Sequence, residues 1–172
     1  MTSGRPHATE PRIARFTTSS CVRRYAWPVR RFSQDKKVEA LKRTTLFEGL
    51  SKKELTALAR VSEDIEVPAG KKLCKEGEIG HEFFVIVEGE AEVTRKGKHL
   101  ATDRGGDFFG EIALLEESRR TATVTAKTPL RAFVLTGSDF RHLLDENPKV
   151  ERKVLHALAR QVLSLSSDPA HA

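Results

Sequence analysis

Two residues with complementary chemistry, Glu111 and Arg120, lie close together in the segment Phe109-Gly-Glu-Ile-Ala-Leu-Leu-Glu-Glu-Ser-Arg-Arg-Thr-Ala-Thr-Val124. Counting back by twos from Ala126 puts Arg120 on the same inward face as Ala122 and Val124. A guanidinium on an apolar face is costly unless it is paired. A bound phosphate would satisfy it through charge-assisted bonds worth roughly 1.5–3 kcal/mol each. Glu111 is the complement, an acceptor-only carboxylate able to receive a sugar hydroxyl beside that phosphate. Glu111 to Leu115 favours a short helix just after Gly110, so the free backbone N–H groups of Ile112 and Ala113 suit an anion. The competing reading gives Arg120 an internal salt bridge, to Glu116 or Glu117, and makes Glu111 an ordinary first-turn carboxylate favoured by the helix dipole.

Other chemistries find little support. Gly105 and Gly110 have the interval of a nucleoside triphosphate loop, but Glu111 stands where that loop requires lysine and would repel the terminal phosphates. There is no nucleophile elbow and no convincing set of nucleophile, base and orienter, so no catalytic residues are assigned and the chain is expected not to be an enzyme. His81, His99 and His156 share no metal-ligand spacing with each other or with a cysteine, so no metal ligands are assigned either. Cys21 and Cys74 lie far apart, unlike the dense pattern of a secreted disulfide scaffold, which makes a reducing, cytoplasmic setting the default.

The chain has 172 residues, 38% hydrophobic and 31% charged, enough for one domain and a polar tail. No apolar run approaches the length of about 18–20 residues that spans a bilayer. The net charge of +6 belongs to residues 1–34, where seven arginines stand against Glu10 alone. The rest holds 23 of the 30 basic and 23 of the 24 acidic residues, a balance of zero. That tail keeps no helical or alternating period and is expected to be disordered. Its Arg- and Ser/Thr-rich, acid-poor composition also fits an organelle transit peptide, or the translated upstream region of a GC-rich bacterial gene. A nucleic-acid-binding arm is a further reading, but nucleic acid is not the expected partner.

The elements that must position the pair follow from periodicity. Gln34 to Leu41 favours helix, and Ser51-Lys-Lys-Glu54 is a capping box ahead of a second helix near 51–61. From about 64 to 136, short β-prone runs alternate with turn signals such as Pro68-Ala-Gly70, Gly77, Gly80, Gly89 and Gly105-Gly106, a rhythm that predicts a barrel or sandwich. Ala91 and Val93 alternate with Glu90 and Glu92, and Ala122, Val124 and Ala126 alternate with Thr121, Thr123 and Thr125. Helices are predicted at about 138–146 and from Asn147-Pro148, an N-cap and first helical position, to about Leu165. Val150, Val154, Leu158 and Val162 give the last helix an apolar stripe. That stripe is core packing by default.

The segment 109–124 resembles the phosphate-binding cassette of the cyclic nucleotide-binding family, which includes the catabolite activator protein and protein kinase A regulatory subunits. The match comprises Phe109, Gly110, Glu111, Ala113, Leu114, Arg120 and Ala122 at the family's spacing. Glu76-Gly-Glu-Ile-Gly80 and Phe83-Phe-Val-Ile-Val-Glu-Gly-Glu90 resemble its glycine turn and hairpin. The resemblance covers about residues 36–165. It implies a mainly β fold with flanking helices, a jelly-roll-like β-barrel (double-stranded β-helix) within a domain over 35–172. It further implies a cyclic phosphate held by Arg120 and the cassette amides, a ribose hydroxyl held by Glu111, and a final lid helix that moves on binding. Val154, Leu155 and Leu158 are the candidate lid contacts. The binding set is therefore Phe109, Gly110, Glu111, Ile112, Ala113, Arg120, Thr121 and Ala122. His81 departs from the acidic residue often found in the family's turn. A hydroxyl at Thr121 occurs both in cGMP-selective kinase domains and in bacterial cAMP receptors, so cAMP is favoured over cGMP with cGMP open. Only Ser166 to Ala172 follow the lid, so the expectation is a sensor acting on a separate effector protein, with homodimerisation through the last helix open. A barrel that has lost its ligand and serves as a scaffold is the alternative.

Overall fold

The computed structural model describes residues 32–166. The predicted basic tail lies outside them except for Phe32, Ser33 and Gln34. Helix α1 (Gln34–Lys42), a 3-10 turn (Thr45–Phe47) and α2 (Lys52–Val61) precede eight strands. These are β1 (Glu63–Val67), β2 (Lys72–Cys74), β3 (Glu82–Glu88), β4 (Glu90–Arg95), β5 (Lys98–Arg104), β6 (Phe108–Phe109), β7 (Thr123–Ala126) and β8 (Leu130–Thr136). Helix α3 (Glu111–Leu115) interrupts them between β6 and β7, and α4 (Gly137–Glu146) and α5 (Pro148–Ser166) follow. The capping box forms as read: the Glu54 amide donates to Ser51 Oγ at 3.2 Å and the Ser51 amide to Glu54 Oε2 at 2.6 Å.

The strands make two four-stranded sheets, β1-β8-β3-β6 and β2-β7-β4-β5, and every named pair is antiparallel. Among the described residues no strand pairing closes these sheets into a barrel, so the observed fold is mainly β in two sheets with flanking helices. Strands β3 and β8 carry the packing on both faces. Phe83, Val85, Phe133 and Leu135 face the helices, joining Leu41, Phe47, Leu58, Phe140, Val150 and Val154 in one core. Phe84, Ile86, Ala132 and Val134 turn the other way and meet Val124, Ala126 and Ala91 of the second sheet. Burial on both faces explains why β3 reads as a continuous apolar run, whereas β4 and β7, half-wet, show alternation.

The entry to the domain is clamped. Asp64, 5% exposed, accepts from the Phe32 amide at 2.8 Å and from Arg131 Nη2 and Nε at 2.8 and 2.9 Å. The Arg131 guanidinium carbon lies 3.2 Å from the centre of the Phe32 ring. At the other end, Asn147 holds the predicted N-cap position of α5, its carbonyl accepting from the Glu151 amide at 3.1 Å, while its Nδ2 turns back to the Leu143 carbonyl at 2.9 Å and closes α4 as well. Val150 and Val154 of the predicted stripe are buried and Leu158 packs beside them, but Leu155 and Val162 are exposed.

Candidate nucleotide-binding cassette

Strand β6 ends at Phe109, whose ring stacks on Phe84 at 4.8 Å and 10°, pinning the start of the cassette to β3. Phe109 is thereby a core residue of the inter-sheet layer, 7% exposed. The chain then turns through Gly110 at φ +96°, a conformation that a side chain strongly disfavours. A Cβ there would also sit 2.7 Å from both Arg120 Nη1 and the Glu82 carbonyl oxygen. Gly80 is constrained from the opposite side, since its Cβ would come within 2.6 Å of Arg120 Nε. Two glycines therefore form a close cradle around one guanidinium.

Arg120 points inward and is 6% exposed, as its position predicts, but by another route. Strand β7 begins only at Thr123, and Thr121 and Ala122 form a bend, so strand alternation does not reach Arg120. The backbone is instead held by the glycine turn: the Arg120 amide donates to the Glu78 carbonyl at 2.8 Å, and the Gly77 amide to the Arg120 carbonyl at 2.9 Å. The guanidinium lies 5.8 Å from the Phe84 ring centre. Its Nη1 donates to the Gly110 carbonyl at 3.2 Å, and Nη2 donates to the Glu82 carbonyl at 2.8 Å and, at a long 3.4 Å, to Glu82 Oε2. The internal carboxylate is thus Glu82, from β3, and not Glu116 or Glu117. Sequence reasoning had no signal for it, because Glu82 sits beside an apolar run with nothing local to mark it as buried.

Glu111 opens α3 and is 2% exposed. Its Oε2 is the one buried side-chain oxygen or nitrogen without a hydrogen-bond partner among the described residues. Oε1 receives a long contact of 3.5 Å from the side-chain amide of Gln161 on α5. Burial pushes the Glu111 carboxyl above its ordinary range, and its own amide, Gln161 and Arg120 offset that only in part. Asp103 on β5 is pushed up to about 7 by burial, with the Asp107 and Glu111 charges adding to the effect.

Ala113, 4% exposed, packs against the Gly80 turn, and Ile112 is half-buried. Thr121 is half-buried and its carbonyl accepts from Arg95 Nε at 2.9 Å. Ala122 is half-buried, its carbonyl 3.9 Å from Cys74 Sγ. The structure therefore brings Gly110, Glu111, Ala113 and Arg120 together, with Glu82, Gly80 and Gln161 added. It gives Phe109 a packing position. Of the candidate lid residues, Val154 is in the core and Leu155 faces outward, and α5 reaches the cassette through Gln161 instead. A surface depression of about 340 Å³ lined by Glu66, Val67, Pro68, Glu88, Pro129, Leu130 and Arg131 contains no cassette residue.

A buried carboxylate and a buried guanidinium are thus held at one turn, on two antiparallel sheets flanked by helices. Residues 64–147 match the family model of the cyclic nucleotide-binding domain, and the chain carries a domain of that family. It is 42% identical over 106 residues to a cAMP-dependent protein kinase regulatory subunit of Yarrowia lipolytica, across 60% of this chain and 28% of that protein. Among solved structures, one described as Sp-2Cl-cAMPS bound to PKAR CBD2 superposes with a TM-score of 0.67 at 25% identity. It covers 80% of this chain and 97% of that one. The regulatory subunit of a cAMP-independent protein kinase A from Trypanosoma brucei gives 0.66 at 25% identity, over 82% and 47% of the two chains. The match spans about a quarter of the length of three kinase regulatory subunits, 24% to 28%.

Proposed function

We propose that residues 35–172 form a regulatory domain that binds a cyclic nucleotide, with residues 1–34 as a basic tail. Arg120 and the amides of Ile112 and Ala113 hold the cyclic phosphate, Gly110 permits the turn, and Glu111 accepts from the ribose hydroxyl. The observation that carries this is Glu111 Oε2, a buried acceptor with no partner among the described residues, because native interiors rarely leave such a group unsatisfied. The glycine cradle around Arg120 adds support, since a side chain at either position would fill the space beside the guanidinium. The analogue-bound relative and the cAMP-dependent kinase subunits support cAMP over cGMP. Bound ligand moves α5, and the signal passes to a partner protein in the cytoplasm. The exposed Leu155 and Val162 leave a face for a second copy of the chain. The two antiparallel sheets support, without closing, the jelly-roll wrap that the family resemblance implies. No helix among the described residues is long and apolar enough to cross a membrane.

Calorimetric titration with cAMP and cGMP tests the reading. Arg120→Ala should weaken binding at least tenfold, about 1.4 kcal/mol, given the roughly 2–5 kcal/mol typical of stripping one side of a buried charge pair. Binding of neither nucleotide, with no thermal shift, sinks it.

One observation favours a second reading, a scaffold that has lost its ligand: Arg120 already pairs with Glu82 and the Gly110 carbonyl. The Trypanosoma relative described as cAMP-independent is consistent with such a barrel. The Glu82 carboxylate contact is long, however, and among the described residues the guanidinium bonds through Nη1 and Nη2 but not Nε. The orphaned oxygen of Glu111 has no place in a self-satisfied site, which is why ligand binding stands first.

A further inference from the structure

The last helix places one polar side chain where its apolar stripe should continue. Val154, Leu158 and Gln161 are spaced i, i+4 and i+7, which on an α-helix is a single face. Val154 is buried and Leu158 packs against the helical core, so that face is turned toward the body of the domain. Gln161 takes the next position on it, and its side-chain amide is the contact that α5 makes with Glu111. Val162, which periodicity also assigns to the stripe, is 62% exposed.

Glu111 has two carboxylate oxygens and two claimants. Gln161 Nε2 stands at Oε1, while Oε2 is buried and without a partner among the described residues. We infer that Gln161 is a positioning residue that ties α5 to one oxygen of Glu111 and presents the other to the ribose hydroxyl of the bound nucleotide. The inference rests on the reading of Glu111 as a ribose acceptor and adds the route by which occupancy is felt by the helix.

The two contacts reinforce each other physically. An amide N–H at Oε1 favours the ionised carboxylate, the form that only accepts. A hydroxyl donated to Oε2 favours the same form. Closing α5 therefore prepares the carboxylate for ligand, and ligand strengthens the hold of the carboxylate on α5. By linkage the two effects are equal in size. The charged groups around Glu111 are Arg120 from the cassette and Asp103 from β5, with Asp107 acting on Asp103 and Glu82 of β3 on Arg120. Burial holds the Glu111 carboxyl above its ordinary range, so losing the Gln161 donor raises it further.

The test is calorimetric cAMP affinity between pH 5 and 8 for the full chain and for Gln161→Leu and Gln161→Lys. All are made in an Asp103→Asn background, so that this neighbouring carboxyl does not titrate. Gln161→Leu should bind roughly three- to tenfold more weakly at pH 7, the range of a single net hydrogen bond. The pH at which affinity falls on acidification should move upward in the same variant. Gln161→Lys keeps a donor of similar reach and should restore both. Gln161 is exposed, and equal melting temperatures would show that the fold is unaffected. Binding by the parent chain with an unchanged affinity and pH profile in Gln161→Leu overturns this inference alone. Failure of the parent to bind either cAMP or cGMP overturns the ribose-acceptor reading together with it.

Discussion

Glu111→Gln should make the ligand-free protein more stable and a weaker binder at once. The substitution keeps the shape of the side chain and removes a buried charge whose Oε2 has no partner among the described residues. A buried acceptor left unsatisfied costs about 1–3 kcal/mol, more when it is charged. The glutamine amide is itself imperfectly satisfied there, so a net gain of about 1 kcal/mol is expected, or roughly 3 °C in melting temperature for a domain of this size. The pH dependence fixes the sign. Because burial raises the folded-state pKa, the penalty is absent below the ordinary carboxylate pKa and complete once pH exceeds the folded value. The gain should therefore appear at pH 8 and vanish near pH 4. Affinity should move the other way, because a hydroxyl bonded to a carboxylate contributes roughly 1–1.5 kcal/mol more than one bonded to a neutral amide, about tenfold in Kd. Differential scanning calorimetry at both pH values and cyclic nucleotide titration read the two effects. Equal melting temperatures at pH 8 with unchanged affinity would refute the account of Glu111 as a buried acceptor kept for a ligand.

Two further substitutions probe the same turn. Gly110→Ala should lose at least about 2 kcal/mol in urea unfolding, combining left-handed backbone strain with a Cβ pressed 2.7 Å from the Glu82 carbonyl; an unaltered midpoint would mean the turn relaxes freely. Asp103→Asn should raise the melting temperature above pH 7 and not below pH 4, because a carboxyl pushed up from 3.8 to about 7 costs nothing while both states are protonated, costs more as the unfolded chain ionises, and reaches its full cost once pH passes the folded value. The gain is roughly 1–3 kcal/mol, reduced by solvent screening since Asp103 is only half-buried, and thermal melts across that range check it.

What could be read from the chain was whatever a few neighbouring residues decide. The box at Ser51 and Glu54, the short helix at Glu111–Leu115 and the Val150, Val154 and Leu158 face depend on spacings of three or four, and each appears where it was predicted. The placement of Arg120 was right in direction and wrong in cause. A bend at Thr121 and Ala122 breaks the alternation, and a turn some forty residues upstream sets the arginine by backbone pairing. Glu82, Asp103 and Gln161 were not found because their burial or contacts depend on strands and helices distant in sequence. Asn147 stands at the predicted N-cap of the last helix, but its side-chain amide turns to a carbonyl on the preceding one, a contact that local spacing does not reveal.

The clamp of Asp64 and Arg131 on Phe32 has a practical corollary for anyone dividing the protein. The stretch recognised by the family model opens at Asp64 and closes at Asn147, yet the folding unit is wider. Trimming to those limits would discard Phe32, Leu41, Phe47, Leu58, Val150 and Val154, and strip the cover from Phe83, Phe133 and Phe140. Bared aromatics on one side of a sheet favour precipitation over a soluble fragment. The boundaries by which kinship is detected are thus narrower than those within which the polypeptide can stand alone.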